Sequence, residues 1–344
     1  MPSLNAKLNA KLLGTCCAIA LAFSATVAAA EPVKWDFSDE YGAREADFTY
    51  QAANYCIGEV EKLAGDDLDI TYQGGGALGF KSADHFEAVS AGAVQSAITL
   101  ITQLSGVDPI FNLSSIPFIA KSPDEAYLLW QAARPEYEKV FADNGMVLLW
   151  ALPNAPSGIH AKMPINSVDA LKGLRIRTYD KNGTDTLAAA GAAPIQLAFS
   201  DLVPALSTGA VDAVLTSADG GKGMSIWDYG VNNFTEINYA MALFVAHVNK
   251  AEFDELTPKA QEALMSTIED CDKHAWGVME AGRVAPYDEM KAHGMTITAD
   301  DDVPAEVFDV LGGAADNIKK AWLESVGDRG QAILDAFEKA KANQ

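Results

Sequence analysis

From Lys34 onward, short apolar runs alternate with amphipathic stretches of helical period. A chain with that rhythm buries the runs as strands and covers them with helices, the α/β solution. Residues 34–37, 68–73, 95–101 and 146–152 read as strands, with helices over 46–63 and 82–91. A Pro/Gly-rich break at 153–158 interrupts the pattern. Beyond it, 174–178, 194–197 and 211–215 read as strands, 183–190 as a helix, and Ser200-Asp201 as the cap of another through Leu206. The apolar run 239–248 is a strand heading back toward the first half. Pro258 opens a helical stretch that extends toward His293, and 305–341 is mainly helical.

A different kind of segment precedes this rhythm. Lys7 and Lys11 lead into an uncharged, mostly apolar run over 12–27, and Ala28-Ala29-Ala30 stand before Glu31. That is the layout of a cleaved signal peptide, so residues 1–30 are expected to be removed and the protein to work in the periplasm. The run is too short, and too abruptly followed by charge, for a spanning helix. Some 314 residues remain after Ala30, more than one ordinary core holds, which points to two lobes. The first is expected over 31–153 plus about 243–282, and the second over 154–242 plus about 283–344.

Loss of Lys7 and Lys11 takes the formal charge from −22 to −24. Such a surface repels nucleic acid and anionic membranes, so neither is an expected partner. An anionic ligand would have to be drawn in by a local positive site. Only Cys56 and Cys271 remain after the leader, and either a disulfide or two buried thiols is compatible with their count.

Enzyme signatures are missing. Gly74-Gly75-Gly76-Ala77-Leu78-Gly79 matches G-x-G-x-x-G, but no acid follows about twenty residues on, where Thr99 lies among apolar neighbours. It reads better as a glycine turn lining a cleft. His85, His160, His247, His274 and His293 are scattered without metal-ligand spacing, so neither a metal nor a cofactor is implied. The carboxylates at 252–255 and 300–302 read as solvated helix ends.

The informative stretch is 167–177. Strand alternation places Arg175 and Arg177 on one side and Leu174 and Ile176 on the other. Ligands in open α/β sheets bind beyond the carboxyl ends of strands, and Arg177 lies near such an end. A guanidinium there can hold a carboxylate through two parallel hydrogen bonds. Taken alone, Arg177 reads more simply as a solvated arginine at a strand end.

Three ordered blocks add a resemblance: 169–177 (DALKGLRIR), 191–194 (GAAP) and 199–212 (FSDLVPALSTGAVD). Their order and spacing resemble the solute-binding subunits of tripartite ATP-independent periplasmic (TRAP) transporters, the DctP family. The resemblance implies a two-lobed periplasmic-binding-protein (Venus-flytrap) fold with a long helix bridging both lobes. It also implies that Arg177 clamps a ligand carboxylate, that Phe199 lies against the ligand, and that a membrane permease receives the cargo. Departures from the family pattern shape the expected pocket. Thr216 stands where many members carry a ligand-contacting asparagine, and Ser157 falls near the place of a second arginine. Phe80, Leu100 and Gln103 align where sialic-acid binders carry polar residues. Trp150 and Tyr41 are further candidate walls, although each is also an ordinary core aromatic. The expected cargo is therefore a monocarboxylate with an apolar or aromatic body. The rival is a secreted hydrolase or lyase, with Thr178, Tyr179 or Asp180 as nucleophile or base beside Arg177.

Overall fold

The computed structural model describes residues 31–343; the expected signal peptide lies outside them. The first half supplies β1 (Val33–Asp39), α1 (Phe48–Ala64), β2 (Leu68–Gln73), α2 (His85–Ser90), β3 (Ser96–Leu100), α3 (Pro123–Asp143) and β4 (Met146–Pro153). The middle supplies β5 (Gly158–Ala161), β6 (Arg175–Thr178), α4 (Lys181–Ala189), β7 (Ala193–Gln196), α5 (Leu202–Ser207), β8 (Ala213–Thr216), α6 (Ala218–Gly223) and β9 (Asn233–Thr235). The rest follows as β10 (Leu243–Asn249), α7 (Lys250–Glu255), α8 (Pro258–Ser266), α9 (Ile268–Gly282), α10 (Pro286–Ala292), β11 (Thr296–Thr298), α11 (Ala305–Val326) and α12 (Asp328–Lys341).

Two sheets result, one per lobe, with strand orders β2-β1-β3-β10-β4 and β11-β9-β5-β8-β6-β7. All seven residues of β10 are buried, as a strand in the middle of a covered sheet requires. It runs antiparallel to both β3 and β4, so the first sheet is mixed. In the second sheet β6 is parallel to β7 and β8, while β5 is antiparallel to β8 and β9. The short strands β5 and β9 carry too few residues to show a periodic signal in the sequence.

The chain leaves the first sheet after β4 and returns after β9, and the two crossings run side by side. Asn154 N donates to Ala242 O at 2.8 Å, Ser157 N to Ala240 O at 3.0 Å, and Tyr239 N to Ser157 O at 2.9 Å. This ribbon joins the lobes with backbone bonds, as a hinge must if it is to bend without losing register.

The helical stretch from Pro258 does pass from one lobe to the other, but in pieces. α9 packs on β4 and α1, whereas α10 packs on α6 and β11. The breaks fall at Thr267 and at 283–285, the second between Gly282 and the helix-starting Pro286, which lacks an N–H. α11 crosses a further time. Its Val307 and Leu311 are buried in one cluster with Leu171 and Leu187 of the second lobe, and its Ile318 and Trp322 in another with Trp130 and Tyr137 of the first. Trp322 Nε1 donates to Pro109 O at 3.0 Å. Gly327, at φ 69°, turns the chain so that α12 lies on α3. The last helix thus packs on the first lobe, whereas the sequence pattern groups 283–344 with the second. Cys56 and Cys271 are buried free thiols on α1 and α9; burial, then the neighbouring Cys271, pushes the Cys56 thiol far up.

Candidate ligand-binding site

The carboxyl ends of β1, β3, β6 and β8 converge on the seam between the lobes. β1 delivers Asp39, Glu40 and Tyr41 to it. Asp39 is buried and accepts from Tyr41 N at 2.8 Å and from the Tyr72 hydroxyl at 2.7 Å. Burial raises its pKa to about 7 against the opposing pull of those bonds. Gly75 N donates to Tyr41 O and Gly76 N to Asp39 O, so the glycine turn buttresses this loop. Gly75 and Gly76 have φ near +70°, which only glycine adopts freely. The turn therefore holds the wall in place and is not itself a wall of the cavity described below.

Arg177 comes from β6 and is 1% exposed. Its Nε donates to Leu197 O at 3.0 Å, while Nη2 is buried with no hydrogen-bond partner among the described residues. Burial lowers its pKa from the ordinary arginine value, and Tyr41 and Glu40, facing it from the first lobe, pull the other way. An arginine does not lose its proton at neutral pH, so this is a buried cation without a paired carboxylate. The Tyr41 hydroxyl faces this guanidinium without a hydrogen bond of regular geometry to it; burial, the largest influence, raises its pKa, and the Arg177 charge pulls the other way. Tyr179 completes the polar cluster, with Ser157 Oγ 3.4 Å from its hydroxyl.

Beside this cluster lies a cavity with about 550 Å³ of space free of protein atoms. Tyr41, Phe48 and Phe244 from the first lobe and Phe199 and Thr216 from the second are among its walls. Tyr41 is the keystone of the aromatic side, with ring centroids 4.7 Å from Phe199 and 4.8 Å from Phe244. Thr216 sits so close to Gly220 that a Cβ there would lie 2.5 Å from its Oγ1, so the turn into α6 needs a glycine at that point.

The structure therefore brings Arg177, Tyr41, Phe199 and Thr216 together at the seam, with Ser157 one shell away in the hinge ribbon. Three other sequence candidates are not among the walls of this cavity. Trp150 is fully buried in β4, stacked on Phe37 at 5.7 Å, and belongs to the core under α1. Phe80 packs half-buried against the first lobe's core. Leu100 is buried at the end of β3, its N–H bonded to Ser82 Oγ at 2.6 Å. Gln103, noted beside them, reaches across the seam instead, Nε2 donating to Tyr179 O at 3.2 Å with Oε1 buried and unpartnered. Glu40, Phe48 and Phe244 escaped the sequence reading. Glu40 alone carried a signal, being an ionisable residue immediately after a strand's carboxyl end.

The groups a hydrolase or lyase would use are committed to structure. Thr178 Oγ1 pairs with Thr184 Oγ1 at 2.6 Å, and Asp180 Oδ1 caps α4 through Gly183 N at 2.9 Å. Burial raises the pKa of Tyr179 and so keeps its hydroxyl protonated.

Two lobes, a hinge ribbon and an interlobe pocket beside a buried cation are the architecture of a solute-binding receptor, a protein that captures and does not transform. Comparison with known families agrees: residues 40–312 match the family of bacterial extracellular solute-binding proteins, family 7 (DctP), and the chain belongs to it. The 2,3-diketo-L-gulonate-binding periplasmic protein YiaO of Escherichia coli K12 is 24% identical over 329 residues, 93% of this chain and 95% of that relative. Among solved structures, DctP6 of Bordetella pertussis, an extracytoplasmic solute receptor binding pyroglutamic acid, superposes with a TM-score of 0.84 at 28% identity, covering 89% of this chain and all of that one. DctP7 of the same organism, also described as binding pyroglutamic acid, gives 0.84 at 27%, covering 89% of this chain and 99% of that one. Among the described residues no helix is long and apolar enough to cross a membrane.

Proposed function

We propose that this receptor captures a compact monocarboxylate between its lobes and hands it to the membrane permease of a TRAP transporter. One observation carries the proposal: the Arg177 guanidinium is buried at the lobe seam with Nη2 unpartnered. An isolated buried charge costs several kcal/mol of desolvation, roughly, and a bidentate carboxylate offsets that cost. With Ser157 in place of a second arginine, the grip suits one carboxylate. Part of the wall is aromatic, from Tyr41, Phe48, Phe199 and Phe244, beside the polar Thr49, Asn154 and Thr216 and the carboxylates Glu40, Asp47 and Asp219; the aromatic part favours a flat or cyclic body over a polyhydroxylated chain. Pyroglutamate, the acid bound by the two Bordetella relatives, has that shape: one carboxylate on a small ring. Closure strengthens the ion pair by excluding water.

Isothermal titration with pyroglutamate, orotate, succinate and sialate tests the proposal, together with mass spectrometry of any copurifying acid. Binding of the first two with a 1:1 stoichiometry is expected. Binding of succinate or sialate with no response to any monocarboxylate would overturn it.

A further inference from the structure

Three consecutive residues of the second lobe each meet a different group of the first, and Glu40 stands at the centre. Glu40 follows β1, is 3% exposed, and divides its carboxylate between the lobes. Oε2 accepts from Ser82 N of its own lobe at 2.8 Å. Oε1 accepts from both Ser200 N and Ser200 Oγ of the other lobe, each at 2.9 Å. On one side of this contact Tyr41 packs on Phe199, ring centroids 4.7 Å apart. On the other, Lys81 Nζ reaches Asp201 Oδ2 at 2.6 Å. Residues 40–41 and 81–82 of the first lobe are thus stitched to 199–201 of the second.

We propose that Glu40 is a positioning residue: a clasp that fastens the lobes once a ligand lies against Tyr41 and Phe199. This rests on the carboxylate-binding assignment above and adds to it what keeps the pocket shut. The Ser200 bonds can exist only while the lobes meet, whereas the Ser82 bond lies within one lobe and survives opening. A contact made in one conformation alone shifts the population toward that conformation. Glu40 is held in position by Ser82 N, and its neighbour in sequence forms the ligand wall, so seating the ligand and engaging the clasp are one movement. With three donors already on its carboxylate, Glu40 is spent on closure and not on gripping cargo. The Lys81–Asp201 pair flanks it but is nearly half exposed on both sides, so water screens it and its share is small.

The test measures dissociation of pyroglutamate by stopped-flow tryptophan fluorescence and lobe closure by small-angle scattering, in wild type and in Glu40→Ala, Ser200→Ala, Lys81→Ala and Arg177→Ala. For Glu40→Ala we expect dissociation at least tenfold faster, association within twofold of wild type, and a larger radius of gyration at saturating pyroglutamate. Ser200→Ala, an exposed position that leaves the backbone donor in place, should speed dissociation about threefold, and Lys81→Ala by less than twofold. Wild-type dissociation rates in both Glu40→Ala and Ser200→Ala, with wild-type scattering, would overturn the clasp while leaving the carboxylate site standing. If Glu40→Ala fails to fold, Ser200→Ala alone decides. Absence of pyroglutamate binding in wild type, or undiminished binding in Arg177→Ala, would instead overturn the binding site and the clasp with it.

Discussion

The two ends of β6 carry the same side chain on the same face of the strand, with opposite outcomes. Arg175, at the amino end, has a side chain 51% exposed and is paired with Asp212 at 2.5 Å. Arg177, two residues on, is buried at the lobe seam and has no carboxylate partner. The first is an ordinary surface ion pair, screened and weakly stabilising. The second is a charge held out of water by the contact of two lobes, and its burial is reasonable only if something else neutralises it. Position along one strand, relative to the other lobe, separates a solvent-screened, paired arginine from a buried, unpaired one.

Replacing Arg177 by Met should break the contrast most severely. Ligand affinity should fall by about 2–5 kcal/mol, the range found when one member of a buried, hydrogen-bonded charge pair is truncated. The unliganded protein should be as stable as wild type or more so, because an uncompensated buried charge has gone. Calorimetric titration and thermal melts of the ligand-free forms check both halves.

Across the seam, Asp39 is a buried acid that tests whether the first lobe stores the same kind of cost. Its folded pKa is about 7 against an ordinary 3.8, so between those values the folded state keeps a proton that the unfolded chain has lost. Stability should therefore decline as pH rises from about 4 to about 7 and level off above, by up to a few kcal/mol. Asn at position 39 keeps an acceptor for Tyr41 N and can bond the Tyr72 hydroxyl without ionising. Asp39→Asn should abolish that part of the slope and be the more stable protein at pH 8, as read by chemical denaturation at pH 5 and pH 8.

A subtler change keeps the charge and removes the fork. Arg177→Lys should weaken binding by about 1.4 kcal/mol, tenfold, since an ammonium cannot present two parallel donors to a carboxylate. Equal affinity would show that the site reads charge alone. The smallest effect belongs to the other end of the strand. Arg175→Ala should leave ligand affinity unchanged and alter stability by no more than about 0.5 kcal/mol, with less effect as salt is added.

Much of this architecture is legible in the chain's patterning. The buried strands β3, β4 and β10 follow from apolar runs, β1 from apolar–polar alternation, and the helices α1 and α4 from an apolar stripe of helical period. The break at 153–158 marks the crossing, since proline cannot donate to a sheet ladder and glycine weakens one. Other features are less visible. Nothing in the apolar pattern over 258–292 distinguishes one long helix from three; the interruptions follow from packing against different lobes on either side. Likewise α12 looks like any amphipathic helix, and only the turn at Gly327 sends it back to α3.

The functional residues divide along the same line. Arg177 and Phe199 stand in motifs whose spacing is local, so the sequence alone could nominate them as candidates. Trp150 and Tyr41, equal as candidate aromatics in sequence, part ways in space: one stacks on Phe37 inside the first lobe, the other faces Phe199 across the seam. Glu40 and Ser200 are 160 positions apart, and no local pattern records that they touch. Periodicity reports which face of an element is buried, because that depends on nearest neighbours along the chain. Which two distant faces come to bury each other depends on how two lobes dock about a hinge, and only the assembled tertiary structure decides that.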